Sequence, residues 1–160
     1  MGNNVRKELE ALKDKLLDVL PQIVASTAVD YFQDTFREKA FDGAPWPDFS
    51  PNYKHRTNGS LMIDTSALMN SIRPSRVERK VVEISAGNDK VEYAKPHNEG
   101  FMGSVVVPEH KRTSKKGKVY VVKQHTRKMF LPQRQFLGES KELGELIEKR
   151  IKGFIGSINK

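Results

Sequence analysis

Apolar positions recur every three or four residues along the first forty. Val5, Leu9, Leu12, Leu16 and Leu20 form one stripe, the spacing of a helix with a single apolar face. Pro21 interrupts it. Proline lacks an N–H and crowds the preceding turn, so the pattern predicts a helix that kinks or restarts there. The stripe resumes at Ile23, Val24, Ala28, Tyr31, Phe32 and Phe36 and stops at Asp42-Gly43, a turn pair. Residues 1–40 are therefore expected to be a kinked helix or a helix pair. Residues 41–60 are expected to be a loop, because GAPWPDFSPNYKHRTNG (43–59) holds three prolines and two glycines. Prolines flank Trp46 and hold it extended. Trp46 and Phe49 are read as anchors pinning this loop to the core, with a ligand-facing aromatic as the alternative.

The period then shortens. In residues 73–86 Val82, Ile84 and Ala86 alternate with polar neighbours, the repeat of a half-buried strand. No Gly or Asn marks a turn at Glu78–Lys80. YAKPHNEG (93–100) reads as a turn or short helical piece. SVVVPEHKR and KVYVVKQHT flank Lys115-Lys116-Gly117, two β-branched runs around a turn and so a hairpin. From about Ser140, a plausible N-cap, Leu143, Leu146, Ile147, Ile151, Phe154, Ile155 and Ile158 share one helical face. The order is helices, loop, strands, helix, and such segregation predicts an α+β fold. The expected arrangement is one domain over 1–160, with the helices packed on a mostly antiparallel sheet. Its parts are the sheet region at 61–138, a protruding basic β-hairpin at 104–128 and a C-terminal helix at 139–158.

Composition adds limits. A chain of 160 residues can bury a core without staples. The absence of cysteine rules out disulfides and thiolate zinc sites and points to cytosolic folding. The N-terminus mixes Arg6, Lys7, Glu8 and Glu10, unlike a signal peptide, and no apolar run approaches the roughly 20 residues of a membrane span. The net charge of +8 sits in one place: residues 110–128 hold eight Lys/Arg and no acid, which leaves a neutral remainder. Lys111, Arg112, Lys115, Lys116, Lys118 and Lys123, with Arg127 and Lys128, could neutralise phosphates with little sequence preference. They could equally be a solvated edge whose lysines block strand addition.

Catalytic constellations are thin. MIDTSALMNSI (62–72) begins like the loop of a dimeric aspartic protease, where paired aspartates share a proton. Glycine normally follows the Asp-Thr pair, and this chain has Ser66. Ala67 to Ile72 favours helix over the required strand, so Asp64 or Thr65 is read as a cap for that helix. His110 and His125 could face each other across the hairpin as metal ligands, or stand exposed beside lysines. His97 is read as bonded to local backbone. No phosphate loop or Ser-His-Asp elbow is present. No catalytic, metal or cofactor site is expected.

Four pieces in order carry a resemblance: the loop around Trp46; Asp64, Thr65, Leu68, Ser71 and Ile72; Tyr93, Ala94, His97 and Gly100; and Arg134, Phe136, Leu137 and Gly138. Together, over roughly residues 40–140, they resemble the phage virion morphogenesis family, the tail-completion proteins of contractile-tailed and Mu-like phages. Ser66 stands where that pattern has glycine, and the basic hairpin lies where the family varies. The resemblance implies a non-enzymatic assembly protein of the virion, made in the bacterial host cytoplasm. It would act in tail completion and head-tail joining, as a homo-oligomeric ring between the head connector and tail-tube or tail-terminator proteins. A ring would bring its basic hairpins toward passing DNA, a non-specific contact, with no membrane involved. A small basic nucleic-acid-binding module unrelated to virions is the alternative.

Overall fold

The computed structural model describes residues 2–50 and 59–158. Helix α1 spans Gly2–Glu38 and runs through Pro21 without restarting, a rod of about 55 Å at 1.5 Å per residue. From Pro21 onward it is buried along one side, with Ala25, Ala28, Tyr31, Phe32 and Phe36 in the core. Before Leu16 it is not: every described side chain from Val5 to Lys15 is exposed. The N-terminal part of the apolar stripe thus forms the predicted helix but reaches past the rest of the molecule.

Lys39 turns the chain with φ 56. Strands β1 (Ala40–Phe41) and β2 (Ala44–Pro45) pair across Asp42-Gly43. Both turn residues have positive φ, 49 and 75, which is the two-residue turn whose twist suits a hairpin. The hairpin delivers Trp46 edge-on to Phe36, ring centroids 5.4 Å apart, while Phe136 packs on Phe36 from another direction at 5.1 Å. Leu61, Leu68, Ile72, Val91 and Ala94 complete the core. Burying each large apolar side chain contributes about 1.5–3 kcal/mol.

A single turn of helix, α2 (Ala67–Asn70), leads into strands β3 (Arg73–Glu78) and β4 (Val81–Ser85), paired antiparallel with a bulge between Pro74 and Arg76. The bulge fits Pro74, which cannot donate to a ladder. This ribbon lies against α1, and Arg79 in its turn reaches Asp18 (2.9 Å) and Asp14 (3.3 Å) on α1. Next comes α3 (Ala94–Glu99), which ends at Gly100.

Strands β5 (Phe101–Val107) and β8 (His125–Leu131) pair antiparallel from Phe101↔Leu131 to Val107↔His125. Between them β6 (His110–Thr113) pairs with β7 (Val119–Val122). The two pairs follow one another along a single ribbon over residues 101–131, interrupted at Pro108-Glu109 and Lys123-Gln124. The final helix, α4 (Lys141–Ile158), packs on α1. The α+β class stands. In place of one sheet, however, the strands among the described residues pair in twos, β1 with β2, β3 with β4, β5 with β8 and β6 with β7, all antiparallel. The β3–β4 ribbon is covered by α1, and the long ribbon's lysines and arginines disfavour edge pairing, so nothing merges them.

Candidate functional site

The chain leaves β8 at Pro132 and crosses beneath α3 as an extended strap. Arg134 anchors it. This side chain is only 7% exposed, and it donates from Nε to the Pro47 carbonyl (2.8 Å) and from Nη2 to the Asp48 carbonyl (2.9 Å). Its own backbone amide donates to the His97 carbonyl at 2.9 Å. Burial pulls the guanidinium pKa down, partly opposed by Asp48. One residue further, the Gln135 carbonyl accepts from Trp46 Nε1 at 2.6 Å. Asn98 holds the other edge: its Oδ1 accepts from the Phe136 and Leu137 amides, both at 2.9 Å, and its Nδ2 donates to the Leu137 carbonyl at 3.1 Å. The Trp46 loop, the α3 segment and the 134–138 strap are therefore one hydrogen-bonded knot around Phe36 and Phe136.

Gly100 makes the knot possible. Its φ is 78, and a Cβ there would lie 3.1 Å from the Gln133 amide nitrogen. His97 stands at the side. Its ring meets Tyr93 edge-on at 5.8 Å, and Nδ1 is buried with no hydrogen-bond partner among the described residues. The expected bond from this side chain to local backbone is thus not formed at Nδ1. Burial, then the Arg134 charge, pushes the His97 pKa below 6.5.

The 62–72 segment closes one wall. The N-cap of α2 is Ser66, left-handed at φ 59 and ψ 9, and no side-chain cap bond is made there. This corrects the expectation that Asp64 or Thr65 caps the helix: the chain enters α2 through a left-handed residue, and both Asp64 and Thr65 are exposed. A one-turn helix follows where a protease loop needs a strand. Ser71 does the joining instead, donating to the Leu68 carbonyl (2.6 Å) and accepting from the Gly87 amide (2.9 Å). Asp64, Thr65, Leu68, Tyr93, His97 and Arg134 all border a cavity of about 1100 Å³.

A second junction ties the helices. Ser140 accepts from the Leu143 amide at 3.1 Å, capping α4 as its sequence predicted. Its hydroxyl also lies 2.8 Å from both Tyr31 Oη and Asp42 Oδ1, and Asp42 Oδ1 accepts from the Glu142 amide at 3.0 Å. The Glu142 amide and the Ser140 hydroxyl hold the Asp42 carboxyl below its usual 3.8. Burial raises the Tyr31 hydroxyl's pKa.

The basic ribbon is separate from this knot. Every side chain from Pro108 to Lys128 is exposed except Ser114 and Val122, which are half-exposed. Strand alternation puts Lys111 on one face with Val121 and Arg112 on the other with Tyr120. The tip is ordered by the Gly117 amide donating to the Ser114 carbonyl (2.9 Å) and the Lys118 amide to Ser114 Oγ (3.0 Å), which leaves Lys115 and Lys116 on the turn. Among the described residues the ion pairs lie elsewhere, in α1, the β3–β4 ribbon, α3 and α4. His110 and His125 do not face each other. His110 pairs with Val122 and His125 with Val107, three positions apart along the ribbon, and each Nδ1 lies 3.0 Å from a carbonyl two residues before it. Among the described residues no three His, Asp or Glu cluster as metal ligands, and no helix is long and apolar enough to cross a membrane.

The structure therefore brings Trp46, Leu68, Tyr93, His97, Gly100, Arg134, Phe136 and Leu137 together and sets Lys111, Arg112, Lys115, Lys116, Lys118 and Lys123 apart. The sequence model of the phage virion morphogenesis family matches residues 3–155. The chain belongs to that family. No curated protein and no solved structure matches it. For this virion morphogenesis protein the ordered motifs are the parts of the knot, and the Ser66 departure falls on the one left-handed residue at the start of α2. Sequence reasoning missed Asn98, whose three strap bonds carry no local signature, and Tyr31 as the partner of the α4 cap.

Proposed function

We propose that this virion morphogenesis protein is a non-enzymatic tail-completion factor that joins heads to tails. Copies would form a ring between the head connector and tail-tube or tail-terminator proteins, with their basic ribbons meeting DNA at the junction. The observation that carries this reading is the ribbon itself: an ordered, exposed arm with bases on both faces and at its tip, mounted on a neutral body. An arm with bases on both faces can meet phosphates whichever face it turns toward the DNA, whereas a flat docking surface would concentrate charge on one face.

The test replaces Lys111, Arg112, Lys115 and Lys116 with Ser. Expected are an unchanged melting temperature, a DNA-binding salt slope shallower by about four counterions, and fewer joined particles when the variant supplies a phage lacking its own copy. Normal joining would reduce the ribbon to a solvated edge. Tight, steeply salt-dependent DNA binding by a monomer with no effect on particles would favour a nucleic-acid-binding module.

A further inference from the structure

The exposed N-terminal part of α1 is built as a contact. Val5, Leu9, Leu12, Leu16, Val19 and Ile23 follow one another at spacings of four, three, four, three and four. That repeat serves equally for a face lying on a globular core and for the seam of two helices wound together, so exposure and the flanking charges have to separate the two. The fold covers only the far end: Leu16, Val19 and Ile23 are half-buried, whereas Val5, Leu9 and Leu12 are 57%, 60% and 40% exposed. Arg79 grips Asp14 and Asp18. In the heptad that puts Leu9 and Leu16 at a, Asp14 falls at f, opposite the seam, so the β3–β4 turn leaves the seam open.

The flanking charges select the occupant. In that heptad Glu8 is at g and Lys13 at e, five residues apart. A parallel pair of identical helices sets each Glu8 beside the other's Lys13, two attractions with no like-charge contact. An antiparallel pair would set each Glu8 near the other's Lys15 but also each Arg6 near the other's Lys13, two attractions against two repulsions. A two-fold axis running along the rods gives this parallel arrangement.

We infer that the N-terminal stripe of α1 docks on the same stripe of a second copy of this chain, in parallel and in register, through Val5, Leu9, Leu12 and Leu16. A stripe docked on itself closes at two copies, so this contact links copies in twos and is additional to whatever surface repeats around the proposed ring; it rests on that reading for the assembled state. Two heptads make a short seam, so the pairing is weak for free copies and strengthens where a ring holds several together.

The chain has no cysteine of its own, which makes the test direct. Full-length Leu12→Cys, oxidised at high concentration, should form a disulfide-linked dimer. Lys7→Cys, at the outward f position, should not. Adding Glu8→Lys to Leu12→Cys should cut the dimer yield several-fold, and adding Glu8→Lys with Lys13→Glu should restore it. All four sites are exposed, so the melting temperature of each variant should match the parent. A folded Leu12→Cys chain that stays monomeric, or equal cross-linking by Lys7→Cys, overturns the inference. Particle joining separates this from the proposed role. Joining that survives Leu9→Lys with Leu12→Lys removes the α1 contact and leaves the tail-completion reading standing. Cross-linking as expected, with joining unaffected by loss of the ribbon lysines, keeps the contact and overturns the ribbon's part.

Discussion

Ser66 holds a left-handed conformation that an L-residue adopts at a penalty of about 1–2 kcal/mol, at the position where the family pattern has glycine. Ser66→Gly should relieve that strain, offset in part by the looser unfolded chain, for a net gain of up to about 1 kcal/mol in urea unfolding. Gly100 is the mirror case: Gly100→Ala meets both a positive φ and the Gln133 backbone, and should lose about 2 kcal/mol or more by the same measurement. His97 supplies a pH signature. Its folded pKa lies below 6.5 because its charged form is buried beside Arg134, so the unfolded chain takes up the proton first. Stability present above about pH 6.5 is therefore lost as pH falls toward the folded value. Melting temperatures at pH 7.5 and 5 should differ, and His97→Gln should flatten that difference. None of these three properties is a matter of composition. The glycine at 100 was legible as part of a motif, while the strain at Ser66 and the unpartnered His97 nitrogen depend on distant segments.

The long elements were legible because each signals itself locally. The periodic runs of α1 and α4 and the Asp42-Gly43 turn stand where their patterns place them, although α1 runs on through Pro21. Ser140 illustrates how far this goes. Its sequence predicts a cap, and the structure adds Tyr31 and Asp42 to it. Ser140→Ala should destabilise by about 1 kcal/mol for the cap alone, and by more if the Tyr31 and Asp42 contacts act with it. A double-mutant cycle with Tyr31→Phe measures the coupling. What the pattern could not supply was coverage. Nothing in the spacing of Val5, Leu9 and Leu12 distinguishes residues packed by their own chain from residues left outside it. Nor does the alternation of Val82 and Ile84 tell whether β4 joins β5 in a sheet.

At the scale of the molecule, the body and the ribbon are mechanically separate. The body is fixed by Phe36, Trp46, Phe136, Arg134 and Asn98, whereas among the described residues the outer ribbon is held chiefly by the pairing of its own two strands. Replacing residues 108–124 with an Asn-Gly turn keeps β5 paired to β8, and should leave the melting temperature within about 2 °C of the parent. A large drop would show that the ribbon is part of the core. The candidate site was half legible in the same sense. Its motifs could be read in order along the chain, but their closure into one knot needed the strap's bonds to Asn98, Pro47 and Asp48.

The ribbon has one more consequence, in time instead of space. Asn98 and Phe136 are 38 residues apart in the chain, yet the zipped ribbon sets their strand neighbours, Phe101 and Leu131, side by side. A hairpin closing from its tip takes microseconds and converts a long-range encounter into a local one, so the ribbon should form before the strap docks. Shortening it should then raise the folding rate and leave the unfolding rate unchanged, a shift confined to one arm of the chevron plot. A feature that contributes little to how firmly the body is held would still decide how quickly it is reached.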